Sequence, residues 1–112
     1  MKGISFHDSF QPQKCPFTIN SPAVTVGAGS QMGEVNLAAS LKNLTLLTAG
    51  EISVGYGGYI TAGGHGALAN HYGMAADNVL ELEIVTPGGD ILTVNECQNQ
   101  DLFWAFRGVS LP

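Results

Sequence analysis

The residues able to do chemistry gather in one stretch, Gly50–Gly73, which reads GEISVGYGGYITAGGHGALANHYG. Eight of its residues are glycine: Gly50, Gly55, Gly57, Gly58, Gly63, Gly64, Gly66 and Gly73. Glycine loses more backbone freedom on ordering than any other residue, so this density needs a physical reason. One reason is a concave surface of exposed backbone N–H groups, which suits phosphate oxygens. The stretch holds no Lys or Arg, so an anion here would be bound by amides rather than by side-chain charge. It reads as the wall of a nucleotide or cofactor site, or as a glycine-rich connection that only turns corners. Composition leaves both open.

Other chemistry-bearing groups are weaker candidates. Glu81 and Glu83 share one face of the alternating run VLELEIVT. Paired carboxylates can do acid–base work, but on one strand face they read first as a solvated surface. His7 and Asp8 are adjacent polar residues that read as surface. Cys15 and Cys97 belong to no CxxC or metal-spaced cluster, so they either pair in an oxidising compartment or stay as buried thiols. Gly27-Ala28-Gly29 follows a strand pattern and opens a helix pattern, the context of a dinucleotide fingerprint. Met32 stands where that fingerprint needs Gly or Ala, and no Gly-Lys-Ser/Thr occurs anywhere.

Composition narrows the classes. With 112 residues, 45% hydrophobic and 12% charged, the chain is one globular domain or less. The net charge is −5, and only Lys2, Lys14, Lys42 and Arg107 are basic, which argues against a nucleic-acid partner. No stretch approaches the roughly 18 apolar residues of a membrane span. The opening MKGISFHDSFQP is too polar for a signal peptide, and no address for a compartment is visible. So thin a charge implies faces that expect cover from more protein.

The positioning elements follow from periodicity. Residues 1–21 carry Phe6, Phe10 and Phe17 among Pro12, Pro16 and nearby Pro22, which predicts an irregular packed lead-in. AVTVG at Ala23–Gly27 alternates as a strand. Ser30 is a good N-cap for a helix over Met32–Leu41, with Met32, Val35, Leu37, Ala38, Ala39 and Leu41 mostly on one stripe. Leu44–Leu47 reads as a short strand. Val79–Thr86 and Ile91–Val94 form a hairpin around Pro87-Gly88-Gly89-Asp90. A short helix starts at Asp101, burying Leu102, Phe103 and Phe106 and turning Trp104 elsewhere. The order is strand, helix, strand, glycine loop, strand pair, helix: a small α+β layer.

Three ordered words then become specific. VGYGGYITAGGHG, YGMAADNVLELEIVTPGGDILTV and NQDLFWAFRG resemble the PCMH-type FAD-binding domain of the vanillyl-alcohol oxidase superfamily, most of all berberine-bridge-enzyme-like oxidases of fungi. The lead-in GISFHDSFQP and the run AVTVGAGSQMGE resemble the preceding part of that domain, so the likeness covers nearly the whole chain. It implies an α+β fold, the second subdomain of a PCMH-type domain, with a small mixed or antiparallel sheet and flanking helices. It implies FAD held between two subdomains, with the flavin ring turned toward a separate substrate domain. It also implies hydride transfer from a small organic substrate to FAD, with O2 as the common acceptor.

Carried onto this sequence, the resemblance makes Ser53, Val54, Gly55, Tyr56, Gly57 and Gly58 line the pyrophosphate and ribityl chain through their amides. Tyr59, Ile60 and Thr61 continue that wall. Gly63, Gly64 and His65 pass close behind the cofactor, and Ile84 and Val85 meet its adenine end. Asp101, Phe103, Trp104 and Arg107 pack the terminal helix. The departures are as telling. The family's glycine triplet is here Ala62-Gly63-Gly64, where a methyl group could strain the turn. Glu51 or Ile52 stands where some members carry a flavin-linking cysteine. The upstream Arg-x-Gly-Gly-His word is absent, none of His7, His65 or His71 has its context, and the sequence stops just after RG.

The expectation is therefore a partial FAD-binding domain over residues 1–112, without the flavin-linking loop or the substrate domain, supplying cofactor contacts and no catalytic base. Only Tyr59 and His65 are side chains expected near the flavin. The alternative is a non-catalytic truncated remnant or subunit that needs a partner to complete the site. A nucleotide-binding module unrelated to flavin is the third reading.

Overall fold

The computed structural model describes residues 3–108. Its first element departs from the expected irregular lead-in. β1 (Ile4–His7) pairs antiparallel with β2 (Ala23–Val26), Ile4 opposite Val26 and His7 opposite Ala23. The reason is local: ISFH alternates, and all the prolines lie beyond it, so they break only the connection over 8–22. That connection is itself pinned by a bridge between Phe10 and Ile19.

α1 (Met32–Leu41) has the expected span but a different start. Its N-cap is Gln31, whose N–H donates to Glu34 Oε1 at 3.2 Å. Ser30, the expected cap, is fully buried behind it. The apolar stripe is also narrower than expected. Met32, Val35 and Ala39 recur on one face and are buried, while Leu37 and Leu41 fall on the opposite side, 61% and 75% exposed. The core on this face joins Met32 and Val35 to Tyr56, with Ile4, Val26, Leu46, Val54, Tyr59 and Ile60 packed around them.

Leu44–Leu47 forms no strand. It runs irregularly, and its apolar side chains are half-buried at Leu44, Leu46 and Leu47. The glycine stretch is likewise not one loop. It contains α2 (Tyr56–Thr61) and α3 (Ala69–Tyr72), followed by a 3-10 turn at Ala75–Asn78. Tyr56, Tyr59 and Ile60 share the i, i+3, i+4 face that meets the core, and their packing outweighs the poor helix propensity of Gly57 and Gly58.

β3 (Glu81–Val85) and β4 (Ile91–Asn95) form the expected hairpin, with Val85 opposite Ile91 and Glu81 opposite Asn95. α4 (Gln100–Phe106) packs on β4 and buries Phe103. Arg107 stacks on that ring, Cζ 4.1 Å from its centre. Trp104 is 76% exposed, which overturns the expectation that it packs the helix within this chain. The fold is thus α+β, with two separate two-stranded antiparallel sheets among the described residues and short helices around them.

Candidate functional site

The glycine segment is mounted on the start of α1 by main-chain bonds. Met32 and Gly33 N–H donate to the carbonyls of Val54 and Ile52, at 2.9 and 3.0 Å. In return Tyr56 and Gly57 N–H donate to the carbonyls of Ser30 and Ala28, at 2.8 and 3.2 Å. These bonds spend the first amides of α1 on protein oxygens. The Gly27-Ala28-Gly29 turn contributes its Ala28 carbonyl to this mounting.

The glycines then divide by what a side chain would meet. A Cβ at Gly57 would stand 2.8 Å from the Ala28 Cβ, and one at Gly66 would run into the Thr48 carbonyl oxygen. A Cβ at Gly64 would stand 2.5 Å from the Ala75 Cβ, and its φ of +74° is the left-handed region that favours glycine. Close packing of the fold accounts for these three. Gly55 and Gly58, like Gly50, have nothing among the described residues within 4 Å of an added Cβ. Gly55 has an ordinary extended backbone, φ −71° and ψ 136°, and Gly58 lies in α2. Nothing among the described residues requires glycine at either position.

Gly55, Gly58 and Ala62 are exposed and lie at helical i, i+3, i+7 spacing, giving α2 a bare outer face. Ala62, expected to strain its turn, does not: its φ is −93° and its ψ 6°. The opposite face carries the side chains. Tyr56 donates its hydroxyl to the Leu47 carbonyl at 3.3 Å, and Tyr59 donates to the Gly64 carbonyl at 3.0 Å. Burial pushes the Tyr56 phenol up to about 12 and raises that of Tyr59 as well. Both are neutral struts. The Gly64 carbonyl also accepts Ala75 N–H at 2.9 Å, so Tyr59 and the 3-10 turn brace one peptide.

The other expected contacts sort as follows. Ser53 is exposed, and its N–H and Oγ both donate to Glu51 Oε1 at 3.1 Å. The Ser53 backbone bond, then its hydroxyl bond, holds the Glu51 carboxyl below its ordinary value. Val54 and Ile60 point into the core, so any wall they form is made of backbone. Thr61 Oγ1 donates back to the Gly57 carbonyl at 3.1 Å. Gly63 adjoins Met74, and His65 is exposed. Ile84 and Val85 lie apart on the second sheet, Val85 69% exposed. Residues 53–65 form one continuous segment around α2, and Ile84 and Val85 belong to β3. A groove of about 340 Å³ between α1, residues 44–50 and residues 67–68 shares no residue with this face. Among the described residues, no cluster of His, Cys, Asp and Glu could hold a metal, and no helix is long and apolar enough to cross a membrane.

The exposed backbone at Gly55 and Gly58 fits a large ligand that needs close approach. A family model described as "FAD binding domain" matches residues 17–95. Over 109 residues the chain is 42% identical to the FAD-linked oxidoreductase phmC of Phaeosphaeria nodorum, covering 96% of this chain and 25% of that protein. The crystal structure of the VAO-type flavoprotein MtVAO615 from Myceliophthora thermophila superposes with a TM-score of 0.82 at 37% identity, over 96% of this chain and 19% of that one. Physcomitrella patens BBE-like 1 matches with a TM-score of 0.70 at 35% identity, over 76% of this chain and 19% of its own. The chain thus spans a quarter or less of the proteins it matches.

Proposed function

Because the chain belongs to the FAD binding domain family, whose cofactor is FAD, we propose that it forms one wall of the FAD cleft of an oxidoreductase acting on a small organic substrate. When bound, the flavin would supply the hydride acceptor, with O2 as the proposed final acceptor. The residues of this chain bind and orient. Gly55 and Gly58 let the cofactor lie against bare backbone, with Ser53 at one end of that face and the Gly63–Gly64 turn at the other. Val54, Tyr56, Gly57, Ile60 and Thr61 set the shape of the wall from behind, Tyr59 and His65 border it, and Ile84 and Val85 serve the adenine end. No catalytic role is assigned to Tyr56 or Tyr59, whose hydroxyls are spent on the Leu47 and Gly64 carbonyls.

The observation that carries this reading is the pair of glycines with open space in place of a side chain. The test is FAD titration of the purified chain, followed by flavin fluorescence and absorbance. Micromolar binding with a shifted spectrum is expected, weakened at least about tenfold by Gly58→Leu, which fills the bare face. Equal binding by both proteins would remove the face from the site.

The exposed apolar side chains favour a second reading, a unit that binds FAD only with further protein in place. Leu37, Leu41, Val85, Ile91 and Trp104 are each between 61 and 76% exposed. In that case the isolated chain leaves the flavin spectrum unchanged, and adding the rest of the cofactor domain restores binding.

A further inference from the structure

At the loop end of α4, far in sequence from the glycine face, a single side chain organises two distant segments. Asn95 closes β4 and is fully buried. Its Oδ1 accepts the N–H of Cys97 at 2.7 Å and of Gln98 at 3.0 Å. Its Nδ2 donates to the Gln13 carbonyl and to Glu81 Oε2, both at 2.9 Å. Glu81 Oε2 also accepts the Gln13 N–H at 2.6 Å. Gln13 is thereby held from both its N–H and its carbonyl, two residues from Cys15. Asn95 itself stands two residues from Cys97. The same Asn95 Oδ1 lies 3.6 Å from Cys15 Sγ. Cys15 and Cys97 are joined in a disulfide with their Cα atoms 5.4 Å apart, across 82 residues of sequence.

We propose that Asn95 and Glu81 are positioning residues for this bond, so that the folded chain itself drives Cys15 and Cys97 together and closes them. The two thiols react with a small-molecule disulfide such as oxidised glutathione. The Cys15 and Cys97 S–H bonds and the glutathione S–S bond are lost, the Cys15–Cys97 S–S bond forms, and two reduced glutathiones leave with the protons. One thiolate attacks glutathione disulfide first, and the second displaces glutathione from the mixed disulfide. The clamp acts on that second step, by raising the local concentration of the remaining thiol. The relation is reciprocal: a fold that favours the bond is favoured by it to the same degree.

The test uses the full chain, reduced and then equilibrated in graded mixtures of reduced and oxidised glutathione. The products are acid-quenched, alkylated and counted by mass spectrometry. Native chain should favour the closed bond over the same chain in denaturant by about a thousandfold. Asn95→Ala should lower the native constant at least about tenfold, and Glu81→Ala by less, because each removes hydrogen bonds to a charged or buried group. A general loss of stability does not move this constant while the chain stays folded, so far-UV circular dichroism is recorded on every sample. Should Asn95→Ala lose that signal, Glu81→Ala, at a half-buried site, decides. Equal constants in native and denaturing buffer would overturn the proposal. So would wild-type constants in the folded variants.

Discussion

Around α2 the chain is fastened by main-chain bonds between 28–33 and 52–57, and by glycines packed against Ala28 and Ala75. At the end of the β3–β4 hairpin, side chains do the fastening: Asn95 and Glu81 hold Gln13, and a disulfide lies beside them. The difference teaches which region is available for a ligand. Backbone fastening leaves the outer face of α2 bare and its side chains turned inward. Side-chain fastening consumes the polar groups that a ligand would need. On the proposed function, the first region is the surface for contact and the second is a seal.

The comparison can be broken from either side. The largest effect belongs to the seal: Cys15→Ser with Cys97→Ser removes a cross-link over 82 residues and should cost about 4 kcal/mol of unfolding free energy, read by denaturant titration. Next is Gly64→Ala, which places a methyl group against Ala75 at a left-handed backbone position. It should cost about 3 kcal/mol by the same measurement. The neighbours Gly57 and Gly58 give the sharpest contrast. Gly57→Ala should destabilise by about 2 kcal/mol through its contact with Ala28. Gly58→Ala should stabilise the fold by about 0.5–1 kcal/mol, since it adds a helix former in open space. A cost at Gly58 equal to that at Gly57 would erase the distinction between packed and bare glycines.

A last effect is a pH dependence confined to alkaline solution. Tyr56 has its folded-state value raised from 10.0 to about 12 by burial. Its contribution to stability is therefore complete below pH 10.0 and is lost as pH rises through about 12. Tyr56→Phe should flatten the fall in denaturation midpoint over that window. An unchanged profile would mean that the phenol does not ionise with unfolding.

Local periodicity made much of the architecture legible. α1 was readable from its 3.6-residue repeat, and the β3–β4 hairpin from strict alternation around Pro87-Gly88-Gly89-Asp90. The misses have a common physical origin. Leu44–Leu47 has strand-like composition but finds no partner strand, and pairing is a tertiary fact. α2 was hidden because its glycines suppress helix propensity while Tyr56, Tyr59 and Ile60 supply the burial. β1 was masked by prolines that lie beyond it. The glycine words marked the candidate segment, but not which of its glycines the fold already needs. That division depends on Ala28, Thr48 and Ala75, none of them distinctive in sequence. The Asn95 clamp left no local signal, because Glu81 and Gln13, which it holds, stand 14 and 82 residues away.

Trp104 is the sole tryptophan of the chain, and its indole stands 76% exposed on α4. It will emit as a solvated fluorophore and remain nearly blind to melting of the Met32–Val35–Tyr56 core. The same indole should shift to the blue when another surface comes to rest on α4. It is a spectator of unfolding and a built-in reporter of assembly.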